Sequence, residues 1–350
     1  LTEAEISALL VERQDAGWRA KQIARWIYQK AADNYGKMND LPKDLRSLLE
    51  STHTLAPLEV AKHVTSQDKV DKLLVHNGDQ QVFECVLLPY EDRVSCCISS
   101  QVGCPMACSF CATGLGGFDR NLTAGEIVAQ YLMLQRLCER RVSHVVFMGM
   151  GEPLLNYENL LKSLKLLHDE VGLSYRHLTV STVGIVPQIR ALAKEKLPIH
   201  LALSLHSPFD SIRETLMPVN KKWPVRETID AMKFYQRSTG RKITIEYLLI
   251  DKLTDTSEQA EELARLIKGV PSVVNLIPFN YVQTEQGFGR PSGDRVRAFR
   301  RTLEARRVNV TQRMERGHDI AAACGQLAGQ HQGKFSTRRV TSGALPVLSS

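Results

Sequence analysis

The chain has 350 residues, with 45 Lys and Arg against 38 Asp and Glu and a formal net charge of +7. That length is enough for one large domain or two moderate ones, and 43% hydrophobic with 24% charged residues is a globular composition, which excludes a disordered or collagen-like chain. No apolar run approaches the ~18 residues of a membrane span. Six of the eight cysteines crowd into positions 85–111, unlike a disulfide framework, and the first residues, Leu1-Thr-Glu-Ala-Glu, are polar and acidic, unlike a secretory leader. A reducing, cytoplasmic setting is expected, and the mild basicity is compatible with a nucleic-acid partner without establishing one.

Residues 1–50 read as helices. Ile23, Trp26 and Ile27 recur at helical spacing and are expected in the core, with Arg19, Lys21, Arg25 and Lys30 around them as a solvated face or an RNA contact. Leu41-Pro42-Lys43-Asp44 marks a helix start. From residue 58 the runs Glu59–Val64, Lys72–Val75 and Val82–Leu88 suggest strands, with Asn77-Gly78-Asp79 as a hairpin signal. A boundary near residue 80 divides a small N-terminal accessory domain (1–80) from the main one (81–330). The polar tail, 331–350, is expected to be disordered.

From residue 94 the pattern is strand, loop, helix, repeated. Strands are expected at Val94–Ser100, His144–Met150, His177–Val183, His200–His206, Lys242–Ile250 and Val273–Asn280, with helices such as Thr123–Glu139 and Glu258–Lys268 between them. About six such units imply a parallel sheet with right-handed crossovers, hence an α/β fold that is barrel-like, complete or partial. Arg290–Arg316 holds nine Arg and three acids, either an exposed charged helix or a phosphate-contacting face. A last strand, Val308–Arg313, leads to Cys324.

The first parallel strand runs toward Cys104-Pro-Met-Ala-Cys108-Ser-Phe-Cys111. Three thiolates from one short loop are typical of an iron–sulfur cluster, and leave one iron of a four-iron cluster open to a ligand. Zinc is the alternative, although structural zinc usually takes four ligands in paired spacing. The C-x3-C-x2-C spacing resembles that of the radical S-adenosylmethionine (SAM) enzymes. In a parallel barrel, ligands bind at the carboxyl ends of the strands. The polar residues there are Gly151 and Glu152, Ser181, Ser204-Leu205-His206 and Asn280. They are the candidates for holding SAM: glycine for close backbone approach, Glu152 for an ammonium, and the others for carboxylate, ribose or base edges.

Cys97-Ile-Ser-Ser-Gln-Val-Gly-Cys104, Phe147-Met-Gly-Met-Gly-Glu-Pro153, Ser204-Leu-His206, Ile277-Pro-Phe-Asn280 and Ala323-Cys324-Gly-Gln-Leu327 resemble the radical SAM RNA adenine methyltransferases of the RlmN and Cfr type. The motifs keep their order over residues 18–329, and Gly-Glu-Pro153 and Ile277–Asn280 look more like the RlmN branch. The resemblance implies a partial (β/α)6 TIM-like barrel with a small helical accessory domain, one [4Fe-4S] cluster on Cys104, Cys108 and Cys111, and two SAM per methyl transferred. It implies methylation of carbon 2 of an adenine in 23S rRNA and of the adenine 3′ of some tRNA anticodons, with Cfr-type methylation at carbon 8 as the alternative. A low-potential electron donor such as flavodoxin and a monomeric state are also expected.

Carbon 2 of adenine is electrophilic, so direct SN2 transfer from SAM should fail there. By resemblance, Cys324 first takes the methyl group and then carries it to the base, Glu84 removes a proton from the adduct, and Cys97 releases the product through a transient disulfide with Cys324. Cys96, next to Cys97, is expected on the opposite face of its strand, packing like Cys85 and Cys138. Another radical SAM enzyme acting on a small substrate, or a zinc-dependent RNA-binding protein, is the competing reading.

Overall fold

A computed structural model describes residues 1–12, 17–78, 81–282 and 286–327. Twelve strands are present among them: β1 (Glu59–Thr65), β2 (Asp71–His76), β3 (Val82–Pro89), β4 (Val94–Cys97), β5 (Gln101–Gly103), β6 (Phe118–Asn121), β7 (Val142–Phe147), β8 (Leu178–Thr182), β9 (His200–Ser204), β10 (Ile243–Leu249), β11 (Ser272–Pro278) and β12 (Asn309–Gln312). Ten of them form one sheet in the order β1-β2-β3-β4-β7-β8-β9-β10-β11-β12. From β4 to β12 every pairing is parallel, and β1 to β4 are antiparallel. All six strands expected from the sequence are there, displaced by a few residues at their ends, and β12 is the expected last strand. Among the described residues β12 pairs only with β11, so hydrogen bonds do not close the barrel, and a gap remains between its two edges.

The crossover helices follow local rules. Ala124–Arg136 starts at Thr123 with a capping box, Thr123 accepting from the Glu126 amide while the Glu126 carboxylate accepts from the Thr123 amide. Ser257–Leu266 starts at Thr256, whose hydroxyl accepts from the Gln259 amide, and Lys43–Thr52 follows Pro42. The helix Gly293–Ala305 carries four of the nine arginines of that run, of which Arg297 and Arg300 pair with Asp294 and Glu304 of the helix itself, and acids remote in the chain meet others. Arg295 pairs with Asp251 and Asp255, Arg306 with Glu261 and Arg316 with Asp68. These pairs fit the charged helix that is one of the two expectations for this run.

The accessory region is continuous with the rest. Its helices, Glu3–Glu12, Arg19–Ala24 and Lys43–Thr52, bury Ile6, Leu10, Ile23, Leu45 and Leu49 in the same apolar core as the barrel. Trp26 and Ile27 are only half-buried, because the Trp26 indole turns outward to donate to Asp40 (2.6 Å) beneath the Lys30 ammonium. The sheet also crosses the division at residue 80, since β2 is hydrogen-bonded to β3 from Asp71–Leu87 to His76–Val82. That hairpin is the expected one, although Asp79 of its turn and the 331–350 tail lie outside the described residues.

Candidate active site

The cysteine loop hangs from its own small ribbon. β5 and β6 pair antiparallel on either side of it, and the Cys104 amide donates to the Gly117 carbonyl (2.7 Å). The strand β4 ends at Cys97, so a turn through Ser99 and Ser100 separates it from this ribbon, where the sequence suggests one uninterrupted strand. Gly103 has φ 74°, and a Cβ there would meet the Gly117 oxygen at 2.1 Å, so the stem closes only with glycine. Burial, and after it the neighbouring Cys108, push the Cys104 thiol up, with Cys111 contributing as well. Among the described residues no three His, Cys, Asp or Glu side chains gather closely enough to hold a single metal ion. In a four-iron cluster each thiolate binds a different iron, so the three need not converge on one ion as the ligands of a tetrahedral zinc do.

Two adjoining cavities open beside this loop, with Cys111, Asn280, Arg313 and Cys324 on the walls of both. The first half is the rim of the parallel strands. Gly151, Glu152, Ser181, Ser204, His206 and Asn280 line it, which brings six of the seven sequence candidates for SAM together. Leu205 is the exception. Its side chain is buried in the core, its amide donates to the Glu246 carbonyl, and its own carbonyl accepts from Ser207 and Arg213. Alternation along the strand turns Ser204 and His206 to the cavity and Leu205 away from it.

Each rim residue has a local reason for its place. Gly151 (φ 104°) lets two chain segments touch, since a Cβ there would lie 2.6 Å from the Gln101 Cβ. The close approach there is to the side chains of Gln101 and Ser100, while Gly151 stays on the cavity wall. The Glu152 carboxylate accepts from the amides of Leu154 (3.0 Å) and Val183 (2.8 Å), tying the end of β7 to that of β8. Burial pushes its carboxyl up to about 7 against those two hydrogen bonds. Ser181 and Ser204 lie 3.4 Å apart. Buried His206 has φ 62°, and its Nδ1 accepts from the Leu248 amide (3.0 Å). Burial, aided by Arg213, lowers it to about 3, so the imidazole is neutral. The Oδ1 of Asn280 is buried without a hydrogen-bond partner, while its Nδ2 donates to the Cys324 carbonyl (3.2 Å). A buried carboxyl held near neutrality and an orphaned amide oxygen are open to a ligand carrying N–H donors, and the amino group and adenine of SAM supply them.

The second half faces the gap in the barrel. Val86, Cys97 and Arg313 line it with the loop Ala322–Leu327. Cys97 is opposite Val86 in register, and burial and then Cys324 push its thiol up to about 12. Cys96 packs on the other face of β4. Cys324 is partly buried, its thiol raised by burial and drawn back by the Arg313 guanidinium. The Ala112 amide donates to the Gly325 carbonyl (2.8 Å), which fastens the cysteine loop to the Cys324 loop. Glu84 lies two residues from Val86, hence on the same face of β3. It is 4% exposed and 3.0 Å from the Lys72 ammonium.

Three charged residues of this neighbourhood escape a reading of motifs. Arg313 follows β12 and reaches the Met148 sulfur. Glu246, mid-strand in β10, accepts from Asn275 (2.8 Å) and lines the rim half. An acid inside the apolar run Ile243–Leu249 is a signal the sequence does offer. Arg213 is fully buried and donates to Leu205, Val183 and Asn220, and nothing in its charged helical segment announces this.

The model of the radical SAM superfamily matches residues 98–267, and that of the ribosomal RNA large subunit methyltransferase N-terminal domain matches residues 1–55. The chain is 45% identical over 95% of its length, and 91% of the relative's, to a probable dual-specificity RNA methyltransferase RlmN of Symbiobacterium thermophilum. A protein of the same description from Bacillus subtilis is 44% identical over 94% of this chain and 92% of its own. A crystal structure of a radical SAM methyltransferase from Sphaerobacter thermophilus superposes with a TM-score of 0.92 at 44% identity, covering 94% of this chain and 98% of that one.

Proposed function

Because the chain belongs to the RlmN family of radical SAM RNA methyltransferases, we propose that it methylates carbon 2 of an adenine in 23S rRNA, and of the adenine 3′ of the anticodon in some tRNAs, with Cys324 as methyl carrier. The observation that carries this reading is the shared cleft: the last cysteine of the triplet, Cys111, lies on the same walls as Cys324, with Cys97 on the wall of one half.

Family membership implies one [4Fe-4S] cluster and SAM. Cys104, Cys108 and Cys111 would hold the cluster, and Gly151, Glu152, Ser181, Ser204, His206 and Asn280 would hold SAM. When bound, the pair supplies a methyl donor and, on reduction by a low-potential donor such as flavodoxin, a 5′-deoxyadenosyl radical. The protein's own residues divide the remaining work. Burial raises both thiols and Arg313 draws both back, and the less enclosed Cys324, rather than the buried Cys97, is the methyl acceptor in this reading. Burial keeps Cys97 protonated, so it does not compete for that methyl group and is reserved for the disulfide that releases the product. Glu84, on the face that Cys97 shares, takes the proton from the methylated carbon.

RNA reaches the cleft from the accessory side in this reading. Lys21, Arg25 and Lys30 are exposed there beside Trp18, which is 61% exposed, a mixture suited to phosphate and base contacts. We take residues 1–80 as the RNA-contacting unit and 81–330 as the catalytic one, joined by a continuous sheet. The enzyme is placed in the cytoplasm as a monomer; no helix among the described residues is long and apolar enough to cross a membrane. The test is anaerobic incubation with SAM, a reductant and protein-free rRNA or tRNA fragments, followed by mass spectrometry of the nucleosides. 2-Methyladenosine is expected, and 8-methyladenosine alone would overturn the assignment.

A further inference from the structure

We propose that Lys72 is a positioning residue which ties the proton acceptor Glu84 to the loop of the methyl carrier Cys324; the inference rests on the roles given to those two residues above. Lys72 on β2 is directly opposite Val86 on β3, and Val86 is directly opposite Cys97 on β4. Opposed residues share a face of the sheet, and Glu84, two places from Val86, shares it too. The Lys72 ammonium lies 3.0 Å from Glu84 Oε1 and donates to the Ala321 carbonyl at 3.1 Å. Its side chain is 13% exposed and that of Glu84 is 5% exposed, so water screens the pair poorly.

Ala321 precedes Cys324 by one short turn. It has φ 51°, a left-handed conformation that a non-glycine residue keeps only when its surroundings hold it. Cys324 and Gly325 themselves are held by Asn280 and Ala112, and the segment that leads to them is tied to the turn between β1 and β2. The Gln67 amide donates to the Asp319 carboxylate (3.0 Å), the Gly317 amide to Asp68 (3.2 Å) and the Arg316 guanidinium to Asp68 (3.0 Å). The β1–β2 hairpin is thus a clasp on the carrier loop, and Lys72 is the member of it that also touches a residue of the chemistry.

The reaction gives such a link a purpose. The proton that Glu84 removes sits on the same adenine carbon to which the Cys324 methylene is bonded. Base and carrier must therefore reach one atom together, although the two ends of the link, Lys72 and Ala321, are 249 positions apart in the chain. An ammonium has three N–H donors on a flexible stem, so one side chain can hold a carboxylate and a carbonyl at a fixed separation. A misplacement of either group of about 1 Å is enough to cost roughly 100-fold in rate.

The test compares Lys72→Met, Lys72→Arg and Glu84→Gln in the cluster-loaded enzyme. In Lys72→Met, kcat for RNA methylation should fall by roughly 10- to 100-fold with the KM for RNA unchanged, and amide hydrogen exchange over residues 317–325 should accelerate. Lys72→Arg, which keeps the charge and several donors, should restore most of both. Wild-type kcat and exchange in Lys72→Met, or a loss that Lys72→Arg does not recover, would overturn the proposal. Should Lys72→Met fail to fold, Lys72→Gln is read in the same way. The Glu84→Gln control separates the two levels. Full methylation by that variant contradicts the role of Glu84 itself. Its inactivity, beside wild-type behaviour of Lys72→Met, contradicts the tie alone.

Discussion

On one side of the cleft the wall residues lie on or just beyond the ends of parallel strands; on the other, the wall is assembled from an antiparallel extension and a loop that meet only in three dimensions. The rim half takes Glu152, Ser181, Ser204 and Asn280 from the ends of β7, β8, β9 and β11, so each is placed first by its own parallel strand. The carrier half takes Cys97 from β4, Arg313 from beyond β12 and Cys324 from a loop held by Gln67, Asp68 and Lys72. The first arrangement is rigid and repeats easily. The second puts Cys324 on a segment whose place depends on contacts with residues far away in the chain.

Replacing one cysteine on each side breaks this comparison most sharply. Both Cys111→Ala and Cys324→Ala should lose RNA methylation by about 1000-fold or more, since each removes a group no neighbour replaces. Only Cys111→Ala should also lose iron and reductive SAM cleavage, assayed by iron content and 5′-deoxyadenosine release. A loss of iron in Cys324→Ala would merge the two halves.

The next effect is on stability. Arg213→Met on the rim side leaves the Val183 and Leu205 carbonyls and the Asn220 amide oxygen short of a buried donor, and should cost on the order of 3 kcal/mol in urea unfolding. Its carrier-side counterpart, Arg316→Met, removes a partly exposed ion pair with Asp68 and should cost about 1 kcal/mol or less. Equal losses would contradict the difference in rigidity. Gly103→Ala should destabilise the cysteine-loop stem by roughly 1–3 kcal/mol, read as lower iron per chain at unchanged expression.

How much of this was legible in the sequence follows the same division. The parallel strands could be read because each is an apolar run bounded by polar turns, and the rim residues because they end those runs. Leu205 shares a segment with Ser204 and His206, but its side chain turns into the core. The glycines at 149 and 151 announced a close approach, but their contact is Ile98–Gln101, a neighbour brought in by the fold. The carrier side was legible only as a resemblance in the segments around Cys97 and Cys324. Lys72, Asp68 and Arg316 carry no local pattern, because their partners are far away in the chain. For the same reason Arg295 and Arg306 show no partner near them in the chain, whereas Arg297 and Arg300 pair within their own helix.

The smallest expected effect belongs to neither half. His144 stacks on His177 (centroids 4.2 Å), and burial, then His177, lowers the pKa of His144. Burial, then Arg241, lowers that of His200. These two imidazoles thus resist protons that the unfolded chain accepts, so their share of the stability should be constant above about pH 6.5 and fall as the pH drops below it, in the same sense as His206 and against Glu152, whose raised carboxyl favours the fold as the pH drops. Urea midpoints at pH 7.5 and 5.5 check this, and His144→Asn should flatten the difference while leaving SAM cleavage intact.

The central claim is that one cleft passes a methyl group from the cluster side to the carrier side and on to RNA. Its most direct test is the Cys97→Ala variant, incubated anaerobically with SAM, reductant and RNA and resolved by denaturing electrophoresis and mass spectrometry. The account predicts a covalent protein–RNA species joined through the Cys324 sulfur by one methylene, which the missing thiol leaves unreleased. Released methylated RNA with no such adduct, or an adduct at any other residue, would contradict it.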